Sequence, residues 1–319
     1  LFFRLSTDNA AVAAAGTSYL VICCGLSIGM CMQFLTERLL QTTGHPAGFM
    51  IVQGSGAILN IILDPVFIFG LDMGVVGAAA ATVIGQISGA CIGFFLLWRI
   101  RGEFSVSFRG FRPDQALSAE LLRIAAPAVV MQSLSSFMSL GLNQLLTRWS
   151  QSAVFVLGAY FKLQTFVFMP VFGLNQGALP VMGYNYGARN KKRLFGAYKI
   201  SLAAAVVIMT VGLVIFQTMT DHMLMLFVDR TDAAAAQEML AVGVPALKTI
   251  SWSFIGAAFG IINSTMFQAT ARGMNSLIVS VCRQLVIILP AAWMLGKLVG
   301  LQAIWYAFPI AEMAAFFIS

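Results

Sequence analysis

Nine stretches of this chain are long and apolar enough to cross a bilayer, and they leave little else about its folding free. They run at about 9–35, 47–70, 74–98, 119–145, 152–178, 195–218, 236–268, 274–296 and 300–319. A bilayer's hydrocarbon core is about 30 Å thick, so a helix needs about 20 apolar residues to cross it. Inside lipid every backbone N–H and C=O must find a partner within the protein, and an α-helix satisfies them within one segment. The expected fold class is therefore an all-α polytopic membrane protein, with the lipid bilayer as its surroundings. Only 10% of the residues are charged and 59% are hydrophobic, against about 25% charged in soluble domains.

The net charge of +7 is explained by topology. Bases gather in two connections, residues 99–114 (Arg99, Arg101, Arg109, Arg112) and residues 189–193 (Arg189, Lys191, Lys192, Arg193), and alternating spans put Arg272 on the same side. The other side receives Asp72, Asp221, Asp229 and Asp232 with few bases (Arg148, Arg230, Lys297). Basic loops collect in the cytoplasm, which predicts a cell (inner) membrane protein with the tight glycine turn at residues 70–74 outside. No basic patch is interleaved with aromatics, so nucleic acid is not an expected partner. Cys23, Cys24, Cys31, Cys91 and Cys282 all lie in apolar runs without metal-ligand spacing, and neither His45 nor His222 belongs to a metal or catalytic pattern.

An internal repeat adds architecture. Gly44 pairs with Gly273, Pro65 with Pro290 and Gly74 with Gly300, at offsets of 229, 225 and 226 residues. The first three spans thus correspond to the last three, which makes the repeating unit six spans long. Two such units need twelve spans. The expectation is that three spans are missing ahead of residue 1 and that the sequence is a fragment. Parallel repeats of this kind are one known transporter architecture.

The chemistry concentrates in Asn60-x-x-x-Asp64-Pro65. A carboxylate near the bilayer centre costs about 2.5–3.5 kcal/mol on insertion scales, so an intramembrane acid is a functional hypothesis by default. Asn60 sits one turn earlier on the same face. Pro65 removes the hydrogen bond to the Ile61 carbonyl. A carboxylate, a carboxamide and a freed carbonyl at one level suit a proton or a cation; the plainer alternative is a structural Asp bonded to a neighbouring helix. Asp64 lies six residues before Gly70, about 9 Å at helical rise, hence in the outer half of the membrane. In the fifth span, Asn175-Gln176-Gly177 and Pro180 are expected to break the helix into a turn.

These residues carry a family resemblance. Asn60-x-x-x-Asp64-Pro65 followed by Gly74-x-x-Gly77-Ala78-Ala79 and Ala81-Thr82 resembles the fifth and sixth helices of multidrug and toxic compound extrusion (MATE) transporters. Residues 161–170 (Phe-Lys-Leu-Gln-Thr-Phe-Val-Phe-Met-Pro) and 177–189 (Gly-Ala-Leu-Pro-Val-Met-Gly-Tyr-Asn-Tyr-Gly-Ala-Arg) resemble the eighth helix and its sequel, especially in the bacterial MepA-like branch. The resemblance implies two six-helix lobes around a central cavity. It divides this chain into an N-lobe remainder at 1–98, a cytoplasmic linker at 99–118 and a C-lobe at 119–319.

The implied activity is export of amphipathic, usually cationic, compounds against protons or sodium, by alternating access and without enzymatic chemistry or an organic cofactor. The family's N-lobe cation site maps onto Tyr19, Asn60, Asp64 and Thr82, with sodium possible at Asp64 and Asn60; its first-helix Asp falls in the missing segment. Some branches carry C-lobe acids in the seventh and tenth helices, where this chain offers Gln132 and Lys248 instead, so coupling through the N-lobe is expected. Gln132, Asn143, Lys162 and Gln164 either line the cavity or bond neighbouring helices together. Arg283 is expected to face the bundle near the cytoplasmic end. Two rivals remain. A lipid-linked oligosaccharide flippase of a related family needs a more cationic cavity than Lys162 and Lys248 supply. An intramembrane enzyme needs convergent acid, base or metal groups, and Asp64 reads as the single deep carboxylate.

Overall fold

The computed structural model describes residues 10–100, 114–227 and 233–319. Of the loop charges that set the expected topology, Arg101, Arg109, Arg112, Asp229, Arg230 and Asp232 lie outside the described residues. Among the described residues all regular structure is helical. In chain order come α1 (Ala10–Gly25), α2 (Ile28–Thr42), α3 (Pro46–Pro65), α4 (Gly74–Arg99), α5 (Gln115–Thr147), α6 (Gln151–Gly187), α7 (Lys191–Thr218) and the short α8 (Thr220–Met225). They are followed by α9 (Ala233–Ser251), α10 (Ser253–Ala269), α11 (Gly273–Val281), α12 (Ile288–Leu298), α13 (Leu301–Ile304) and α14 (Ala307–Ile318). π-Helical turns at Val66–Gly70 and Cys282–Ile287 continue α3 and join α11 to α12. Among the described residues seven helices are long and apolar enough to span a membrane, and nine spans result when the bent pairs α1–α2 and α9–α10 each count as one.

The chain divides into two compact units, Leu1–Arg112 and Pro113–Ser319. The first is organised by α4, which buries Gly77, Ala81, Gly85, Gly89 and Gly93, one small residue every turn. A stripe without bulky side chains lets helix backbones approach closely where no hydrophobic effect drives them together. A Cβ added at Gly77 would stand 2.8 Å from the Phe67 carbonyl, and one at Gly93 would overlap the Thr36 side chain. The first span differs from the expected 9–35. It breaks at Leu26 and Ser27, bends by 49° and continues to Thr42. Gly25, Ser27 and Gly29 surround the break, all poorer helix formers than Ala or Leu, and Ser27 N bonds Cys24 O in a three-residue turn. The helix passes Thr36 and Glu37 because both are buried against its neighbours.

The second unit holds the larger core, built on Trp305, Phe216 and Phe254. Phe254 meets Phe216 and Phe168 edge-on at 5.0 and 5.4 Å between centroids, a favoured aromatic geometry. The turn expected at residues 175–180 does not form. α6 runs unbroken for 37 residues with Pro170 and Pro180 inside it. Membrane helices tolerate proline where neighbours compensate for the lost backbone bond. Here Asn175 accepts a hydrogen bond from Thr265 of α10, and Ala178, Met182 and Asn185 are buried.

The repeat is visible within each unit. α9 and α10 bend by 45° at Trp252, the counterpart of the break in the first span. Gly74 and Gly300 both take positive φ, 52° and 116°, as the tight turns require. The π turns do not correspond: one follows Pro65, whereas the other ends before Pro290.

Candidate ion-coupling site

Close helix packing builds the site. At the crossing of α3 and α4, a Cβ on Gly85 would lie 2.9 Å from the Gly56 carbonyl and 3.5 Å from Asn60 Cβ. Asn60 is one turn beyond Gly56, and Thr82 is about one turn before Gly85, so the crossing sets the two face to face. Asn60 Nδ2 donates to Asp64 Oδ1 at 3.4 Å and to Thr82 Oγ1 at 3.5 Å. With the amide turned over, the nitrogen donates to Asp64 Oδ2 at 3.2 Å and the oxygen accepts from Thr82 N at 3.3 Å, which satisfies both ends better. The Thr82 hydroxyl donates to Ala78 O at 2.9 Å. All three side chains are half-buried. Carboxylate, amide and hydroxyl oxygens are hard donors that suit a proton or a small cation.

The structure does not join the fourth expected member to them. Tyr19 is half-buried on α1, which packs against α4, but among the described residues it makes no hydrogen bond to Asn60, Asp64 or Thr82. Gln132 and Lys162 are exposed, and Asn143 and Gln164 are half-buried. Lys162 Nζ sits 5.8 Å from the centre of the Phe227 ring, within cation–π range. Gln164 Oε1 is buried without a hydrogen-bond partner among the described residues. No hydrogen bond joins any of these four side chains to another among the described residues.

Two polar features escaped the sequence reading, and Asp64 is not the single deep carboxylate. Glu37 is buried in α2. In the second unit, Arg283 Nη1 on the π turn donates to Glu312 Oε1 and Oε2 at 3.0 and 3.3 Å. Gly256 and Gly260 of α10 make room for this pair: a Cβ on Gly256 would fall 2.8 Å from Glu312 Cβ. Arg283 is ten residues into its span, and its acid partner means that the charge is not confined to the first unit. Glu312 was findable as the lone acid of the last apolar run. Glu37 was hidden by Thr36 and Arg38, which make that stretch read as the end of a span.

Comparison with known proteins agrees with this architecture. Residues 127–294 match the MatE family model. The multidrug export protein MepA of Staphylococcus aureus (strain bovine RF122) is 31% identical over 281 residues, 88% of this chain and 60% of that protein. MepA of Staphylococcus saprophyticus is 30% identical over the same share. The chain thus spans about three-fifths of the length of these curated relatives. Among solved structures, a MOP superfamily transporter from Pyrococcus furiosus, reported as having a binding pocket of reverse polarity that suggests a different function, superposes with a TM-score of 0.91 at 25% identity, over 99% of this chain and 70% of that one. A MATE protein in complex with MaL6 gives 0.89 at 25%, over 99% and 71%. With the family model covering more than half of its residues and membrane-length helices along its length, the chain is a multi-pass membrane protein that belongs to the MATE family.

Proposed function

We propose that this chain serves ion-coupled export of amphipathic, cationic compounds, with Asn60, Asp64 and Thr82 binding the coupling proton or sodium ion. The observation that carries this reading is the Asn60–Asp64–Thr82 cluster at a helix crossing in a chain similar to the export protein MepA. An ionised Asp64 in lipid is unfavourable, so binding of a proton or sodium ion there favours whichever conformation encloses it. A ligand shifts an equilibrium only by its differential affinity for the two states. Drug and ion therefore compete for conformations and need not share atoms. Gln132, Asn143, Lys162 and Gln164 supply polar groups for substrate in the second unit, and Tyr19 joins the ion site in another conformation. The basic loop around Arg189 and Lys191 faces the cytoplasm of a cell-membrane protein.

The test is Asp64→Asn in the intact protein, reconstituted and assayed for dye-cation efflux under an imposed proton or sodium gradient. Loss of gradient-driven efflux with normal insertion is expected. Efflux at the wild-type rate refutes the assignment, and the gradient that drives the wild type names the ion.

A further inference from the structure

The first turns of α7 gather bases on one side of the helix. At about 100° per residue, Lys191, Lys192, Phe195, Tyr198 and Lys199 fall within about a third of its circumference, and Arg193 falls outside that third. All three lysines are exposed. α7 packs on α10, and the turn that ends α10 carries the exposed Arg272, whose backbone N–H donates to Phe267 O at 2.8 Å. Neither α7, α10 nor that turn contains an acid. The acids at the start of α5, Asp114 and Glu120, sit at or on a helix that packs on α6, α11 and α12 instead. The one ion pair between described residues is Arg283 with Glu312. Lys191, Lys192, Lys199 and Arg272 thus share one end of the α7–α10 seam without a counter-charge among the described residues.

Beside these bases the seam opens into a cavity of about 210 Å³, lined by Phe195, Tyr198, Asn263, Met266, Phe267 and Ser319. Tyr198 Oη donates to Asn263 Oδ1 at 2.5 Å, and Asn263 Nδ2 donates to Ser319 Oγ at 2.9 Å, which leaves one amide hydrogen of Asn263 for a guest. The 28 residues of α7 extend about 42 Å against about 30 Å of hydrocarbon. Its first turn therefore stands among lipid headgroups, and Phe195 and Tyr198 lie near the level where acyl chains begin. A tyrosine suits that level, with an apolar ring and a polar tip. Drug-sized ligands fill pockets of about 300–1,000 Å³, so this smaller one has room for several methylene groups and no more.

We propose that this cavity and its bases bind one anionic phospholipid from the leaflet that meets the start of α7. Lys192, Lys199 and Arg272 hold the phosphate, Asn263 donates to an ester carbonyl, and the first methylenes of one acyl chain lie between Phe195 and Phe267. The charge selects the headgroup, since basic pockets between membrane helices recognise anionic lipids. The aromatic walls select a lipid over a free phosphate, which has no apolar part to bury. The site is independent of the export function proposed above.

Native mass spectrometry of the intact protein, titrated with phosphatidylglycerol, phosphatidylcholine or glycerol phosphate, tests the site. The wild type is expected to retain one phosphatidylglycerol at concentrations where phosphatidylcholine and glycerol phosphate are lost. Each base near the membrane surface is worth roughly a fivefold change in affinity, so Lys192→Gln with Arg272→Gln should weaken phosphatidylglycerol roughly 25-fold. Arg193→Gln removes a neighbouring charge from the other side of α7 and should leave retention unchanged. Phe195→Ala, at a side chain 52% exposed, should stay folded by thermal denaturation and weaken the lipid through the lost wall. Equal retention of phosphatidylglycerol and phosphatidylcholine overturns the proposal, as does glycerol phosphate bound as tightly as the lipid. Arg193→Gln as damaging as Lys192→Gln would reduce the effect to diffuse surface charge and overturn the site. Undiminished lipid binding in Phe195→Ala overturns the role of the cavity.

Discussion

The seam between α3 and α4 allows one substitution to separate packing from coupling. In Gly85→Ala the new methyl lands 2.9 Å from Gly56 O and 3.5 Å from Asn60 Cβ. Carbon atoms pack best at about 3.5–4.0 Å, so the two backbones must part by roughly 0.5 Å. Overpacking of this kind costs about 1–3 kcal/mol. Replacing glycine by alanine inside a helix returns about 1 kcal/mol, so the net loss of stability is only about 0–2 kcal/mol. The site has no such slack. With its amide turned over, Asn60 already accepts from Thr82 N at 3.3 Å, near the far limit of a hydrogen bond, and the opening takes it beyond. The lost ordering of groups around an ionisable Asp64 is worth about 1.5–3 kcal/mol, or roughly a 10- to 100-fold weaker response to the ion. The assay is dye efflux from proteoliposomes against increasing proton or sodium gradient, run beside thermal denaturation. Gly54→Ala is the control, because a Cβ there meets nothing within 4 Å. Equal ion dependence in Gly85→Ala and the wild type refutes the claim that this crossing sets the coupling geometry.

Further expectations follow from the second unit. Glu312→Leu, which strands Arg283 in the membrane, should destabilise by about 3–5 kcal/mol, whereas Arg283→Met with Glu312→Leu recovers most of it; thermal unfolding in detergent compares the two. Phe254→Ala removes the ring that meets Phe168 and Phe216 edge-on and should cost about 3–5 kcal/mol, read by the same unfolding assay. Pro180→Ala should leave stability unchanged or raised, because α6 is helical through that position; a drop in melting temperature contradicts a continuous helix there.

Much of this molecule is legible from hydropathy because lipid imposes one backbone solution wherever an apolar run is long enough. The breaks at Leu26 and Ser27 and at Trp252 are different. Hydropathy stays high across both, and the bend depends on who captures the loosened backbone; at Trp252, Gln217 of α7 donates to Lys248 O at 2.8 Å and to Ser251 Oγ at 2.9 Å. Pro180 reads as a stop from local chemistry alone, and packing on α10 overrules it. At the site, Asn60 and Asp64 share a face by their spacing, but Thr82 lies on another helix and only the resemblance nominated it. Its place opposite Asn60 rests on Gly56 and Gly85, whose meaning is the absence of side chains. Arg283 and Glu312 show the same limit, because 29 residues of sequence hide a 3.0 Å contact.

α6 has a mechanical consequence. Its 37 residues extend about 55 Å, nearly twice the hydrocarbon thickness. A continuous helix of that length acts as a lever: a tilt of about 10° about its middle swings each tip by roughly 5 Å. The turn at Ala188, Arg189 and Asn190 that starts α7 rides on one tip. A spectroscopic label at Ala188 therefore reads, as displacement in water, rotations that are nearly invisible at the membrane's centre.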